Sequence, residues 1–176
     1  MESVTLTTQP RSLGGLAYGL FFDVKALHAG VSISALRCGS GTTAPLTCLL
    51  YTCVGSCLGK EDQSELWTMH GSARNMQIPS WTVVHPGSEF ASLPLDSPIA
   101  VPPKSTVGIC IMTSSQDGLQ VREEHGLHPG TPSYGDDNIH LLVGHIVTAP
   151  KLFHEMVLLP AAFVGEVVYQ VAACSE

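Results

Sequence analysis

The feature that most constrains the fold is a run of short apolar segments between Tyr18 and Gly71, cut at intervals by Gly, Ser and acidic residues. In the first segments apolar and polar side chains alternate, so that Phe22 and Val24 share one face while Asp23 lies on the other, whereas 46–54 is apolar on both faces and predicts a central strand. Alternation with period two is typical of a β-strand that buries one face, whereas a helix of this length would need a longer stripe. The run therefore predicts antiparallel strands, with Asp23 either solvated or paired with a turn amide.

The same rhythm continues to the end of the chain and predicts about ten to twelve strands. Turn residues recur every 8–12 positions, roughly the spacing of β-sandwiches. We expect one domain over residues 1–176, with a core at about 14–172, folded as an all-β, two-sheet antiparallel sandwich of the jelly-roll kind. A short helical turn is expected near 61–66 or 153–156. One interior is expected to hold Phe22, Ile33, Leu50, Ile109 and Val167.

Composition excludes some classes of partner. Only 13% of the 176 residues are charged, against about 25% in an average domain, and 44% are hydrophobic. This low charge suggests that some surface is covered by a partner or by the chain itself. The net charge of −7 disfavours nucleic acid and anionic membranes, because phosphate backbones are bound mainly through Lys and Arg.

The amino-terminal region predicts neither secretion nor membrane insertion. It has no basic segment ahead of an apolar run, as a secretory signal would. The apolar stretch 13–22 is shorter than the roughly 20 residues needed to span a bilayer, and we expect a loop entering a buried strand there. We therefore expect a cytoplasmic or intracellular protein if the chain is complete, and an extracellular one if it is a domain excised from a longer protein.

Several segments, taken in their order along the chain, carry a family resemblance. The segments are FFDVKA (21–26), VSISALRC (31–38), LLYTCVGSCLGKEDQSELWTMHGS (49–72), SLPLD (92–96), IAVPPKSTVG (99–108), YGDDNIHLLVG (134–144) and FVGEVVY (163–169). Together they resemble an accessory β-sandwich module of bacterial surface and extracellular proteins and of some algal and protist proteins. A more distant likeness is to the sandwich domain attached to some BTB and ubiquitin-ligase proteins.

The resemblance implies a sandwich without an assigned activity. The expected function is therefore a non-catalytic binding or assembly module, a structural subunit or accessory domain that acts through protein–protein contact with another protein or as a homo-oligomer. No cofactor is expected. One alternative is a carbohydrate-binding sandwich assisted by Ca²⁺. A second is an enzyme that uses Cys57 and a loop histidine.

Two groups of residues are candidates for ligand binding. Trp81 and Tyr134 could stack on a sugar, whereas Trp67 lies in the matched block and is expected in the core. The acidic loop Asp136, Asp137 and Asn138 offers the hard oxygen ligands that Ca²⁺ prefers. The same loop also fits an ordinary Asx turn at the start of a strand.

Cysteine and histidine spacing predicts no metal site. The six cysteines are expected to be reduced, and Cys53 and Cys57 form a candidate disulfide or thiol pair. Their spacing is longer than the CxxC of zinc and redox sites. His140 and His145 have opposite strand parity unless a bulge at Gly144 corrects it. The remaining histidines, among them His125 and His128, fit solvated loops.

Overall fold

The computed structural model describes residues 2–8, 14–78 and 90–173. The strand predicted over 80–85 and the candidate Trp81 lie outside these ranges. Fourteen strands are present in the described ranges: β1 Ser3–Thr7, β2 Gly14–Ala17, β3 Gly19–Ala26, β4 Val31–Cys38, β5 Leu46–Val54, β6 Thr68–Met76, β7 Ala91–Ser92, β8 Ile99–Val101, β9 Thr106–Thr113, β10 Leu119–Arg122, β11 Pro132–Gly135, β12 Ile139–Val147, β13 Pro160–Phe163 and β14 Gly165–Val171.

The strands form two antiparallel sheets. The smaller, five-stranded sheet has the order β1-β14-β4-β7, with β8 also paired to β4. The larger, nine-stranded sheet has the order β2-β10-β13-β12-β3-β9-β5-β6, with β11 also paired to β12. The prediction of an all-β, two-sheet antiparallel sandwich is thus confirmed.

The structure has more strands than the ten to twelve predicted, because a strand of two to four residues is too short to show an alternating pattern. Strand β2 occupies part of the stretch for which a loop was predicted, and β11 and β13 are four residues each. Strand β1 pairs with β14 and places Leu6 in the core, which therefore extends beyond the expected start at residue 14.

Helical structure in the described ranges is limited to one 3-10 turn, Ser64–Leu66, inside the predicted range 61–66. In the alternative range 153–156, residues 153 and 154 form a bend and 155 and 156 have no regular structure. None of the described residues belongs to a helix with the length and apolar character of a bilayer span.

The space between the sheets holds the main core. Alternate residues of β3, β5 and β9 point into it and meet those of β4 and β14. Phe22 stacks on Phe163 with ring centroids 4.8 Å apart. The prediction of one shared interior is confirmed, since all five named side chains lie in this cluster: Phe22, Ile33, Leu50, Ile109 and Val167.

The middle of the outer face of the larger sheet is buried as well. Two loop segments, 55–67 and 148–159, lie over it, and we call them together the outer cover. Phe153 of the outer cover packs against Tyr51 and Trp67, with centroid distances of 5.2 and 5.9 Å. Trp67 is buried as expected, although it lies in this second cluster with Phe21 rather than between the sheets.

Candidate functional site

A buried carboxylate anchors one segment of the outer cover to the larger sheet. Asp23 is fully buried on the outer face of β3. Its Oδ2 accepts a 2.5 Å hydrogen bond from Ser56 Oγ, and its Oδ1 accepts a 2.7 Å bond from the Cys57 backbone N–H. A buried charge is tolerated only with such partners. The expectation of a turn-amide partner is therefore correct, and solvation is wrong. We call Asp23, Ser56 and Cys57 the aspartate clamp.

The aspartate clamp requires a neighbouring residue without a side chain, and this residue is Gly108. Across three neighbouring strands Asp23 pairs with Gly108, which in turn pairs with Cys53. A Cβ on Gly108 would lie 2.5 Å from Cys53 Sγ and 2.9 Å from the Cys57 nitrogen, closer than packed atoms approach. The absence of a side chain at Gly108 therefore lets the segment that follows β5 lie flat on the sheet.

The thiols in this region are not activated as catalytic nucleophiles. Cys53 and Cys57 are free thiols, and Cys57 is fully buried. Burial has the largest effect on the pKa of Cys57 and the charge of Asp23 the next largest, and both raise this pKa far above its ordinary value. Burial also raises the pKa of Cys53, and Lys60 only partly opposes this. Since the thiolate is the reactive form, this arrangement gives no support to the alternative of an enzyme built on Cys57.

A groove opens next to the clamp, at the end of the sandwich where β5, β6, β8 and β9 meet. Its volume is about 450 Å³. Val54 is 91% exposed and Leu66 43% exposed, so both present apolar surface to solvent. The lining contains no charged residue and no Phe, Trp or Tyr: Thr52, Cys53, Val54, Leu66, Thr68, His70, Pro98, Ile99, Ala100, Pro102, Ser105, Thr106 and Val107.

His70 fixes one wall of the groove. Its Nδ1 lies 3.3 Å from Thr52 Oγ1, and its Nε2 lies 3.3 Å from Ser97 Oγ. The Asp96 backbone N–H donates to the His70 carbonyl at 2.9 Å. These bonds tie the segment before β8 to the edge strand β6. Both ring nitrogens already have partners within the protein, so the imidazole is not free to bind a ligand.

In the acidic loop predicted as a ligand site, Asp136 and Asn138 use their side chains for hydrogen bonds within the protein. Asp136 Oδ1 accepts from the backbone N–H groups of Asn138 and Ile139, at 2.8 and 3.0 Å, which is an Asx turn. Its Oδ2 accepts from the phenol of Tyr169 at 2.6 Å, and Asn138 Nδ2 donates to the same phenol oxygen at 3.1 Å. Asp137 is exposed.

The two predicted aromatic platforms do not form a described pair. Tyr134 is partly buried and packs against the main core, and Trp81 lies outside the described residues. Trp81, Tyr134 and the acidic loop are therefore not brought together within the part of the chain that the structure describes, and the carbohydrate alternative gains no support from them.

The histidines are also distributed rather than clustered. A register shift in β12 between Leu142 and His145 supplies the bulge that the parity argument required. His145 turns to Glu61 of the outer cover, with Nδ1 and Oε1 2.8 Å apart. His125 and His128 are exposed. Over residues 2–8, 14–78 and 90–173, no three His, Cys, Asp or Glu side chains are placed to hold a metal ion.

Burial and hydrogen bonding act in opposite directions on Glu61. Its burial acts to raise the pKa, but the bond from His145 and backbone N–H groups outweigh this, so the pKa of Glu61 lies below its ordinary value. The pair is a second attachment of the outer cover, this time to β12.

Sequence reasoning missed the groove, since its residues come from five separate segments and no local motif unites them. No protein-family description matches this chain, and no curated protein sequence matches it either.

Proposed function

We propose that this protein is a non-catalytic binding module that recognises a protein chain through the apolar groove. The observation that carries this proposal is the uncharged lining of the groove together with the exposure of Val54 and Leu66. Depletion of charge at the centre of a patch is the compositional mark of protein interfaces. Large apolar side chains grouped at a concave site are also the usual form of an interaction surface.

The shape and polarity of the groove favour side chains over sugars. A volume of about 450 Å³ lies within the range of binding pockets, roughly 300–1,000 Å³. A sugar requires many hydrogen-bonding groups and a stacking aromatic, whereas the lining has no Phe, Trp or Tyr and His70 is already engaged at both ring nitrogens. Apolar side chains of a partner need neither, and burying them supplies about 25 cal/mol per Å².

The test is a pair of charge insertions in the groove, Val54→Asp and Leu66→Asp. The wild-type protein and each variant are used as bait in the native host extract, and the recovered partner is quantified by mass spectrometry. We expect at least a tenfold loss of recovery with each variant, because burying an unpaired carboxylate costs several kcal/mol.

The matched control is Val157→Asp, which changes a side chain that is 68% exposed but does not line the groove. It should retain wild-type recovery, and circular dichroism should show all three variants folded. Equal recovery by Val54→Asp, Leu66→Asp and Val157→Asp would show that the groove does not bind the partner.

Sedimentation of the purified protein separates a homo-oligomer from a complex with another protein. If the partner is a second copy, wild type sediments as a dimer or larger and Leu66→Asp as a monomer. If the partner is another protein, both sediment as monomers and the difference appears only in the recovery experiment.

A further inference from the structure

Two cysteines of the clamp region converge on one point. Cys53, on β5, and Cys57, four residues later in the outer cover, both pack against the bare backbone of Gly108. The Cβ position of Gly108 lies 2.5 Å from Cys53 Sγ and 3.1 Å from Cys57 Cα. Cys53 Sγ also lies 3.9 Å from the carbonyl oxygen of Ser56, the residue before Cys57. The side chain of Cys53 is thus directed at the start of the outer cover.

A third thiol in the same cluster is less well placed. Cys110 lies on β9 opposite Tyr51, whereas Cys53 lies opposite Gly108. Cys53 and Cys110 are therefore diagonal neighbours on adjacent strands, whose Cα atoms are about 7–8 Å apart. A disulfide requires about 4.4–6.8 Å between Cα atoms, and two strands at the centre of a sheet cannot move together to reach it. Cys57 instead lies over the same glycine that Cys53 Sγ packs against, in a segment outside the sheet ladder.

We propose that Cys53 and Cys57 form a reversible disulfide when the protein meets a low-molecular-weight disulfide, and that Cys53 is the thiol that reacts with this reagent first. Cys53 lines the groove and retains 5% exposure, whereas Cys57 is fully buried. A small reagent therefore reaches Cys53 through the groove. Cys57 then resolves the mixed disulfide from within the protein. The proposal does not depend on what the groove binds.

The exchange balances in two steps. In the first, the Cys53 thiolate attacks one sulfur of the reagent, a protein–reagent S–S bond forms, and one reagent thiolate leaves and takes up the proton lost by Cys53. In the second, the Cys57 thiolate attacks the Cys53 sulfur and displaces the other reagent thiolate, which takes up the proton lost by Cys57. The protein loses two electrons and two protons, and the reagent disulfide becomes two thiols.

The consequence is a change in the groove. Bonding to Cys57 joins β5, which contributes Thr52, Cys53 and Val54 to the groove, covalently to the outer cover. Both thiols have pKa values raised by burial, so the exchange should be slow at neutral pH. Since only the thiolate attacks, its rate should rise about tenfold per pH unit over the alkaline range where the protein stays folded.

The experiment treats the folded protein with 2-hydroxyethyl disulfide at pH 7.5 and 8.5, blocks remaining thiols with iodoacetamide, and measures intact and peptide masses. We expect loss of two hydrogens, a Cys53–Cys57 cross-link in the peptide map, and reversal by dithiothreitol. The variant Cys57→Ser should stop at the mixed disulfide on Cys53. The variant Cys53→Ser should leave Cys57 unmodified, because the reagent does not reach this buried thiol. The variant Cys110→Ser should still form the cross-link.

Each other outcome overturns the proposal. A folded protein that keeps both thiols while the urea-unfolded chain cross-links shows that the native geometry forbids the bond. A cross-link that involves Cys110, or a mixed disulfide that persists on Cys53 in the wild type, shows that Cys57 is not the resolving thiol.

Discussion

Removal of the buried carboxylate of the aspartate clamp tests most directly how the outer cover is held. Asp23→Ala deletes the acceptor of two hydrogen bonds, from Ser56 Oγ and the Cys57 N–H. Hydrogen bonds to a charged group contribute about 1.5–3 kcal/mol each, and the buried amide of Cys57 would lose its partner. Relief from burying a carboxylate offsets part of this loss. We therefore expect a decrease of about 3 kcal/mol in the free energy of unfolding.

This decrease is large against the roughly 5–15 kcal/mol that stabilises most domains. At about 2–4 °C per kcal/mol for a chain of this size, it corresponds to a fall of about 6–12 °C in Tm. Asp23→Asn should cost about half as much, because the amide oxygen still accepts from Cys57 while the amide N–H can donate to Ser56. Asp137→Ala, at an exposed carboxylate, is the matched control and should change Tm by less than about 1 °C.

Urea unfolding followed by circular dichroism gives the free energies, and hydrogen exchange at the Cys57 amide reports the clamp itself. Ser56→Ala should cost about 1 kcal/mol alone and much less in the Asp23→Ala background, since the two residues share one bond. An Asp23→Ala protein within about 1 kcal/mol of wild type, or Ser56→Ala and Asp23→Ala effects that simply add, would refute the clamp.

Three further changes are predicted. Glu61→Gln weakens the bond to His145 and should lower the free energy of unfolding by about 2 kcal/mol. Because the folded pKa of Glu61 lies below its ordinary value of 4.5, the stabilisation is complete above that pH and is lost as pH falls through the folded pKa. Urea titrations should therefore show the difference from wild type shrinking below about pH 4.5. Tyr169→Phe leaves Asp136 without its phenol partner and should cost about 1–3 kcal/mol in the same assay. Phe153→Ala should cost about 3 kcal/mol and increase proteolysis of the outer cover, as resolved on gels.

The main strands could be predicted because each is a long run that is apolar or alternates. The sequence predicts strands over 46–54, 106–113 and 139–147, and β5, β9 and β12 have these bounds. Strands such as β2 and β11 span only four residues and contain Gly or Pro. Their strand conformation depends on pairing with a neighbour that is distant in sequence, which local propensity does not report.

The candidate sites show the same division between local and distant information. The Asx turn at Asp136 could be predicted because all of its bonds fall within three residues. Its second bond, to Tyr169, crosses 33 residues, and the bond between Asp23 and Ser56 also crosses 33. The sequence shows that Asp23 lies in an apolar strand, but it does not show that Ser56 is the partner. Alternation indicates which face of the sheet a side chain is on, and it does not indicate which segment packs over that face.

The outer cover changes how the composition of this chain should be understood. The middle strands of the larger sheet have protein on both sides, so they offer little solvent-facing surface on which to place Lys or Glu. The low content of charged residues therefore follows in good part from burial of these strands by the outer cover, and it does not require that a partner protein covers the surface. Of the large apolar side chains left exposed in the described residues, Val54 has the highest exposed fraction, and it lies at the groove.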